Sequence, residues 1–195
     1  MVITKGESVL QYLKGLWLIL RGKANGIFYF SNSIIKLRQS FWLAVWLFPI
    51  YFYTMYKLQI AAVGSTGNLI AFIIIQISSY VIYWCAYPVV VERLIGYWHR
   101  QQYYSTYIIM YNYLKGVQIL LVALLLYGAS NIDMHEYFFM TANLLIVLIT
   151  VVTEWNIVRF GLKLGGIMPL IFLFLDGFIG LFITSLAGAL LARII

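Results

Sequence analysis

The chain has 195 residues, of which 64% are hydrophobic and 10% charged, against roughly 45–50% and about 25% in a soluble domain. A water-soluble fold of this size cannot hide so much apolar side chain, so lipid is its natural solvent. The balance is basic, with 13 Lys and Arg against 6 Asp and Glu. The basic residues lie between apolar stretches, where they orient a chain in a membrane. They form no continuous patch for nucleic acid.

Residues 1–39 read as a cytoplasmic amphipathic segment. It does not read as a conventional signal peptide, because Lys14 interrupts the apolar stretch and no small-residue cleavage site follows. Over 8–21, Val9, Leu10, Leu13, Leu16, Trp17 and Leu20 recur at helical spacing, opposite Gln11, Lys14 and Arg21. Two placements are open. The helix lies on the headgroups with Trp17 and Leu13 turned to lipid, or it packs on the cytoplasmic end of the bundle. The stretch 22–33 reads as a broken connector, with Ser31 or Asn32 as the cap of the next helix.

Residues 40–195 read as an all-α, five-span transmembrane bundle. The first span is expected over 41–56, short for a bilayer, with Lys36, Arg38 and Lys57 snorkelling at its ends and Pro49 kinking it. A turn over 64–67 leads to a second span over 68–91. The third has two readings. It runs 103–127, or it starts near Lys115 with the tyrosine-rich stretch before it lying in the headgroups. After an acidic loop carrying Asp133, His135 and Glu136, a fourth span is expected over 137–158 and a fifth over 167–192.

Five spans place the termini on opposite faces. One face then receives ten basic residues (Lys5, Lys14, Arg21, Lys23, Lys36, Arg38, Arg93, Arg100, Arg159, Lys163) and the other two, Lys57 and Arg193. By the positive-inside rule the amino terminus is cytoplasmic and the carboxyl terminus external.

Motifs of soluble catalysis are missing from the sequence: no phosphate loop, no HExxH, no placeable Ser-His-Asp set, and therefore no expected cofactor. His99 and His135 fall on opposite faces and cannot share a metal. Cys85, the single cysteine, reads as a small buried apolar residue. The 16 tyrosines read as belt anchors at both interfaces.

Polar residues inside the spans are the candidates for function, since a mid-bilayer charge is costly and turns to the bundle interior. Asp176 heads a ridge of small residues, Gly180, Thr184, Gly188 and Ala192, at i+4 spacing, which lets helices approach closely. It is nine residues into its span and Lys115 twelve past Tyr103, depths of roughly 14 and 18 Å. That allows an ion pair, with Asn112 one turn away on nearly the same face. Glu154 is expected at the interface, near Arg159 and Trp155.

A basic amino-terminal segment followed by five spans resembles, from Phe41 onward, the layout of the Yip family of Rab-interacting membrane proteins and its bacterial relatives. Residues 107–115 ahead of 116–127, and the connector and span start over 26–48, look like segments of uncharacterised small inner-membrane proteins of α-proteobacteria. The resemblance implies a bacterial inner-membrane location and no activity. Three classes of function compete. A scaffold or complex subunit binding lipid, other membrane proteins or a second copy needs only the amphipathic helix and the small-residue faces, and stands first. A small transporter or channel would use Asp176 and Lys115, and calls for a wet cavity reaching them. An intramembrane enzyme would need a pocket converging Glu92, His99 and Glu154.

Overall fold

The computed structural model describes residues 9–64, 67–131 and 136–193, and every regular element among them is helical. The physical reason is the solvent: lipid offers backbone amides no partner, so each segment must satisfy its own. Seven α-helices follow in order: α1 Val9–Leu20, α2 Ile34–Ser40, α3 Trp42–Val63, α4 Leu69–Tyr97, α5 Tyr104–Asn131, α6 Glu136–Gly161 and α7 Met168–Ala192. Helices α4 to α7 are long and apolar enough to cross a membrane, which makes the chain a multi-pass membrane protein. At 22 residues α3 is also long enough, but its Trp, Tyr and Pro residues lower its mean hydropathy.

Most spans are longer than the sequence implies. Helix α3 does not stop at Tyr56. It continues through Lys57 to Val63, where Gly64 ends it in the left-handed conformation (φ 75°) with its N–H on the Ile60 carbonyl. Asn68 caps α4, its side-chain oxygen accepting from the amides of Ile70 (3.1 Å) and Ala71 (3.2 Å). Helix α4 then runs through Pro88 and past Glu92 and Arg93 to Tyr97. Helix α6 reaches Gly161 instead of Val158, and Pro169 occupies the first turn of α7. Part of the expected 64–67 turn, Ser65 and Thr66, lies outside the described residues. So do Lys5 and the acidic loop residues Asp133 and His135.

The two readings of the third span resolve into one continuous helix. Tyr107 to Tyr111 are buried along with Leu114, so this tyrosine-rich stretch is core and does not lie in the headgroups. Helix α5 is the centre of the fold, packed against α1, α2, α3 and α6, while α4 pairs with α7.

Before α3 the chain makes a separate short helix, α2, whose entry residue is Ser33 and not Ser31 or Asn32. The Asn32 side chain instead donates to the Gln102 carbonyl at 2.9 Å. Helix α1 and the 3₁₀ segment Ala24–Tyr29 form a hairpin on the ends of α5 and α6. Two glycines allow it: a Cβ at Gly15 would meet the Phe30 ring at 2.6 Å, and one at Gly26 would meet the Gly15 carbonyl oxygen at 2.6 Å. Tyr12, Leu16 and Ile19 face the bundle, and Asn156 of α6 donates to the Ile19 carbonyl at 3.0 Å. Trp17 and Leu13 point away from it, 57% and 38% exposed. Cys85 is likewise exposed on α4, and not buried.

The buried core gathers at one end of the bundle. It joins the second half of α4, the first half of α5, the last turns of α6 and the start of α7 to α1. At the other end the helices share far less surface, and α6 exposes Tyr137, Leu144 and Leu148.

Candidate functional site

On the seam between those two ends sits a cluster of charge. Lys115 of α5, Glu154 of α6 and Asp176 of α7 are 5%, 2% and 8% exposed. Counted from their helix ends they are similarly deep: Glu154 seven residues before Gly161, Asp176 eight after Met168, Lys115 eleven after Tyr104. The Lys115 ammonium is 2.6 Å from Asp176 Oδ2 and 3.8 Å from Glu154 Oε2. Glu154 is therefore no interfacial carboxylate. Because α6 runs on to Gly161, Glu154 is carried inward to face Lys115.

Tyrosines complete the cluster. Tyr111 donates to Asp176 Oδ1 at 2.5 Å, and Tyr83 approaches the same oxygen at 3.4 Å. Tyr87 lies 3.4 Å from Glu154 Oε1 and 2.5 Å from the Tyr107 hydroxyl. The rings of Tyr87 and Tyr111 stack with centroids 4.3 Å apart, and Lys115 Nζ sits 5.1 Å from the Tyr111 centroid. These four residues, on α4 and α5, are not belt anchors. They bridge α4 to α5 and bring hydroxyl donors to buried carboxylates, which burial of charge requires.

Asn112 is not in this cluster. It is fully buried, but its amide donates to Ser40 Oγ of α2 at 2.8 Å and its carbonyl oxygen has no partner among the described residues. Its role is to tie α5 to α2.

The small-residue ridge leads away from the cluster along α7. Gly180 rests on the Tyr83 ring, where a Cβ would be in ordinary contact at 3.5 Å, and Gly188 faces open space. The Thr184 hydroxyl donates to the Gly180 carbonyl at 2.8 Å. Beyond Gly180, at Thr184 and Gly188, no helix among the described residues closes onto the ridge. It lines a groove of about 410 Å³, whose other walls include Tyr51 and Gln59 of α3 and Gln76, Ser79 and Tyr83 of α4. A smaller hollow of about 200 Å³ shares Tyr51, Met55, Tyr83 and Ile119 with the groove and reaches Lys115 and Gln118. Wide space thus ends one side chain, Tyr83, short of Asp176.

Among the described residues Glu92, His99 and Glu154 do not converge on one pocket. Glu92 lines a separate hollow with Arg93, Gln101 and Tyr104, while Glu154 faces Lys115 at 3.8 Å. His99 lies in the turn two residues past the end of α4, in the left-handed region (φ 54°). Among the described residues no group of His, Cys, Asp and Glu could hold a metal ion.

No protein-family model matches the chain, and no curated protein or solved structure is significantly similar to it.

Proposed function

We propose that the protein is a non-enzymatic transport protein of the membrane, moving a small polar solute or ion through the groove between α3, α4 and α7. The observation that carries this reading is a buried Lys–Asp–Glu cluster at the inner end of a groove lined by Tyr51, Gln59, Gln76, Ser79 and Thr184. Charge inside a bilayer is costly and is characteristic of solute and proton pathways. A cluster that served only to lock helices would need no groove beside it. The scaffold reading, first on sequence grounds, draws on a different surface: the apolar side chains Val9, Leu10, Leu13 and Trp17 that α1 leaves uncovered, beside Lys14 and Arg21. That face suits anionic lipid and would anchor the bundle without conflicting with transport.

The topology belongs to the same proposal. With α3 as a fifth crossing, the ten-to-two distribution of Lys and Arg puts the amino terminus in the cytoplasm and the mouth of the groove outside. Reporter fusions after Arg21, Arg100 and Lys163 should then read cytoplasmic, and fusions after Gly64, Asp133 and Ile195 external. The Yip-like layout and the bacterial inner membrane it implies add no residue to this reading.

Transport is tested in liposomes holding the purified protein and a pH-sensitive dye, with a potassium diffusion potential imposed. Proton entry should exceed that of empty liposomes and fall at least tenfold in Asp176→Asn. Entry no faster than in empty liposomes would leave a closed bundle and return the scaffold reading to first place.

A further inference from the structure

The cluster contains one cation and two carboxylates, and their surroundings are unequal. Asp176 has the ammonium at 2.6 Å, Tyr111 at 2.5 Å and Tyr83 at 3.4 Å. Glu154 stands 3.8 Å from the same ammonium and has one long contact, Tyr87 at 3.4 Å. The Lys115 charge is thus neutralised by Asp176 before Glu154 is reached. An ionised Glu154 would leave a net negative charge in a site where every member is nine-tenths buried or more. In a medium of low dielectric an unmatched carboxylate neutralises itself by taking a proton.

We infer that Glu154 is a proton-binding site: in this conformation its carboxyl holds a proton beside an ionised Lys115–Asp176 pair, and the phenols of Tyr87 and Tyr107 form the hydrogen-bonded chain that faces it. The groups turned to Glu154 are Lys115, Tyr107 and Tyr111 from α5, Tyr87 from α4, and Asp176 from α7. Only Lys115 among them is a cation, and Asp176 already holds it. The Tyr87 and Tyr107 hydroxyls, 2.5 Å apart, are close enough to pass a hydrogen-bond polarity from Glu154 toward the cytoplasmic ends of α4 and α5. On the other side Lys115 borders the hollow that joins the groove. Glu154 therefore stands between the Lys115 ammonium, which borders the hollow, and a tyrosine pair, and is the group through which proton uptake would be linked to a solute in the groove.

This deepens the transport reading at the same cluster, and the test reads the proton itself, whether or not flux is seen. Infrared spectra of the reconstituted protein at neutral pH should contain the carbonyl stretch of a protonated carboxylic acid in an apolar site. Supplying 13C-labelled glutamate should move that band, and 13C-labelled aspartate should leave it in place. Glu154→Gln should abolish the band and keep the unfolding midpoint near that of the unaltered protein, because the amide imitates the neutral acid. A band that responds to labelled aspartate would put the proton on Asp176 and overturn the assignment. So would the lack of any protonated-acid band, which would mean both carboxylates are ionised. The labelling arms decide the matter even where a substitution prevents folding. A glutamate band without proton flux would keep the site and reject transport.

Discussion

The two ends of this bundle are built on different principles. Where α4 and α6 finish and α5 and α7 begin, side chains interdigitate: Tyr87, Val91, Ile95, Tyr107, Ile157, Leu162 and Phe172 are all fully buried, and the α1 hairpin packs on the α5 and α6 side of this core. At the far end the same helices face outward, with Leu181 72% and Phe182 61% exposed on α7, and a groove lies between them. Lipid is as apolar as a leucine core, so the hydrophobic effect does not force spans together. Close packing appears only where small residues, hydrogen bonds or ion pairs draw the helices in. The contrast explains where the charge sits. The Lys115 cluster is at the seam, close enough to the packed end to be enclosed and close enough to the open end to be reached.

The comparison breaks most severely at Lys115. Lys115→Met leaves the buried Asp176 carboxylate without its cation, and should cost about 3–5 kcal/mol, read as a lowered unfolding midpoint in detergent. A loss under about 1 kcal/mol would mean that the cluster is hydrated and belongs to the open end. Next comes the core itself. Phe172→Ala, at a fully buried ring touching Trp98 and Tyr107, should cost about 3–5 kcal/mol in the packed half. Phe182→Ala at the open end leaves no cavity and should cost much less, so similar losses at the two positions would erase the distinction between the halves.

Glycines sharpen the contrast at smaller scale. Gly26→Ala drives a methyl into the Gly15 carbonyl and should cost about 1–3 kcal/mol, loosening α1 and exposing its hairpin to protease. Gly188→Ala adds a methyl to open space and should stay within about 0.5 kcal/mol. The smallest effect is on stability and the sharpest is on access. Thr184→Cys should fold normally and react with a membrane-impermeant thiol reagent, while Leu186→Cys on the outer face of α7 should not. Equal labelling of the two would show that the groove holds lipid and not water.

Composition and pattern alone carried the class of this protein. The apolar excess, the span positions and the burial of Asp176 near Lys115 follow from the cost of charge in hydrocarbon and a fixed rise per residue. Those rules are local, and they hold whichever way the helices are arranged. What they could not reach depended on where a helix ends and what it meets. Val158 looked like the end of α6, which put Glu154 at the interface. The helix runs to Gly161, and counting inward from there would have revealed its depth. Asn112 shares a helix face with Lys115 in the sequence, yet Ser40 on α2 claims it, because α2 had no signal apart from the span it precedes. Tyrosine composition pointed to the headgroups, while Tyr87, Tyr107 and Tyr111 line the interior. A hydroxyl is equally at home beside water or beside a buried carboxylate, and only tertiary structure decided which partner each one has.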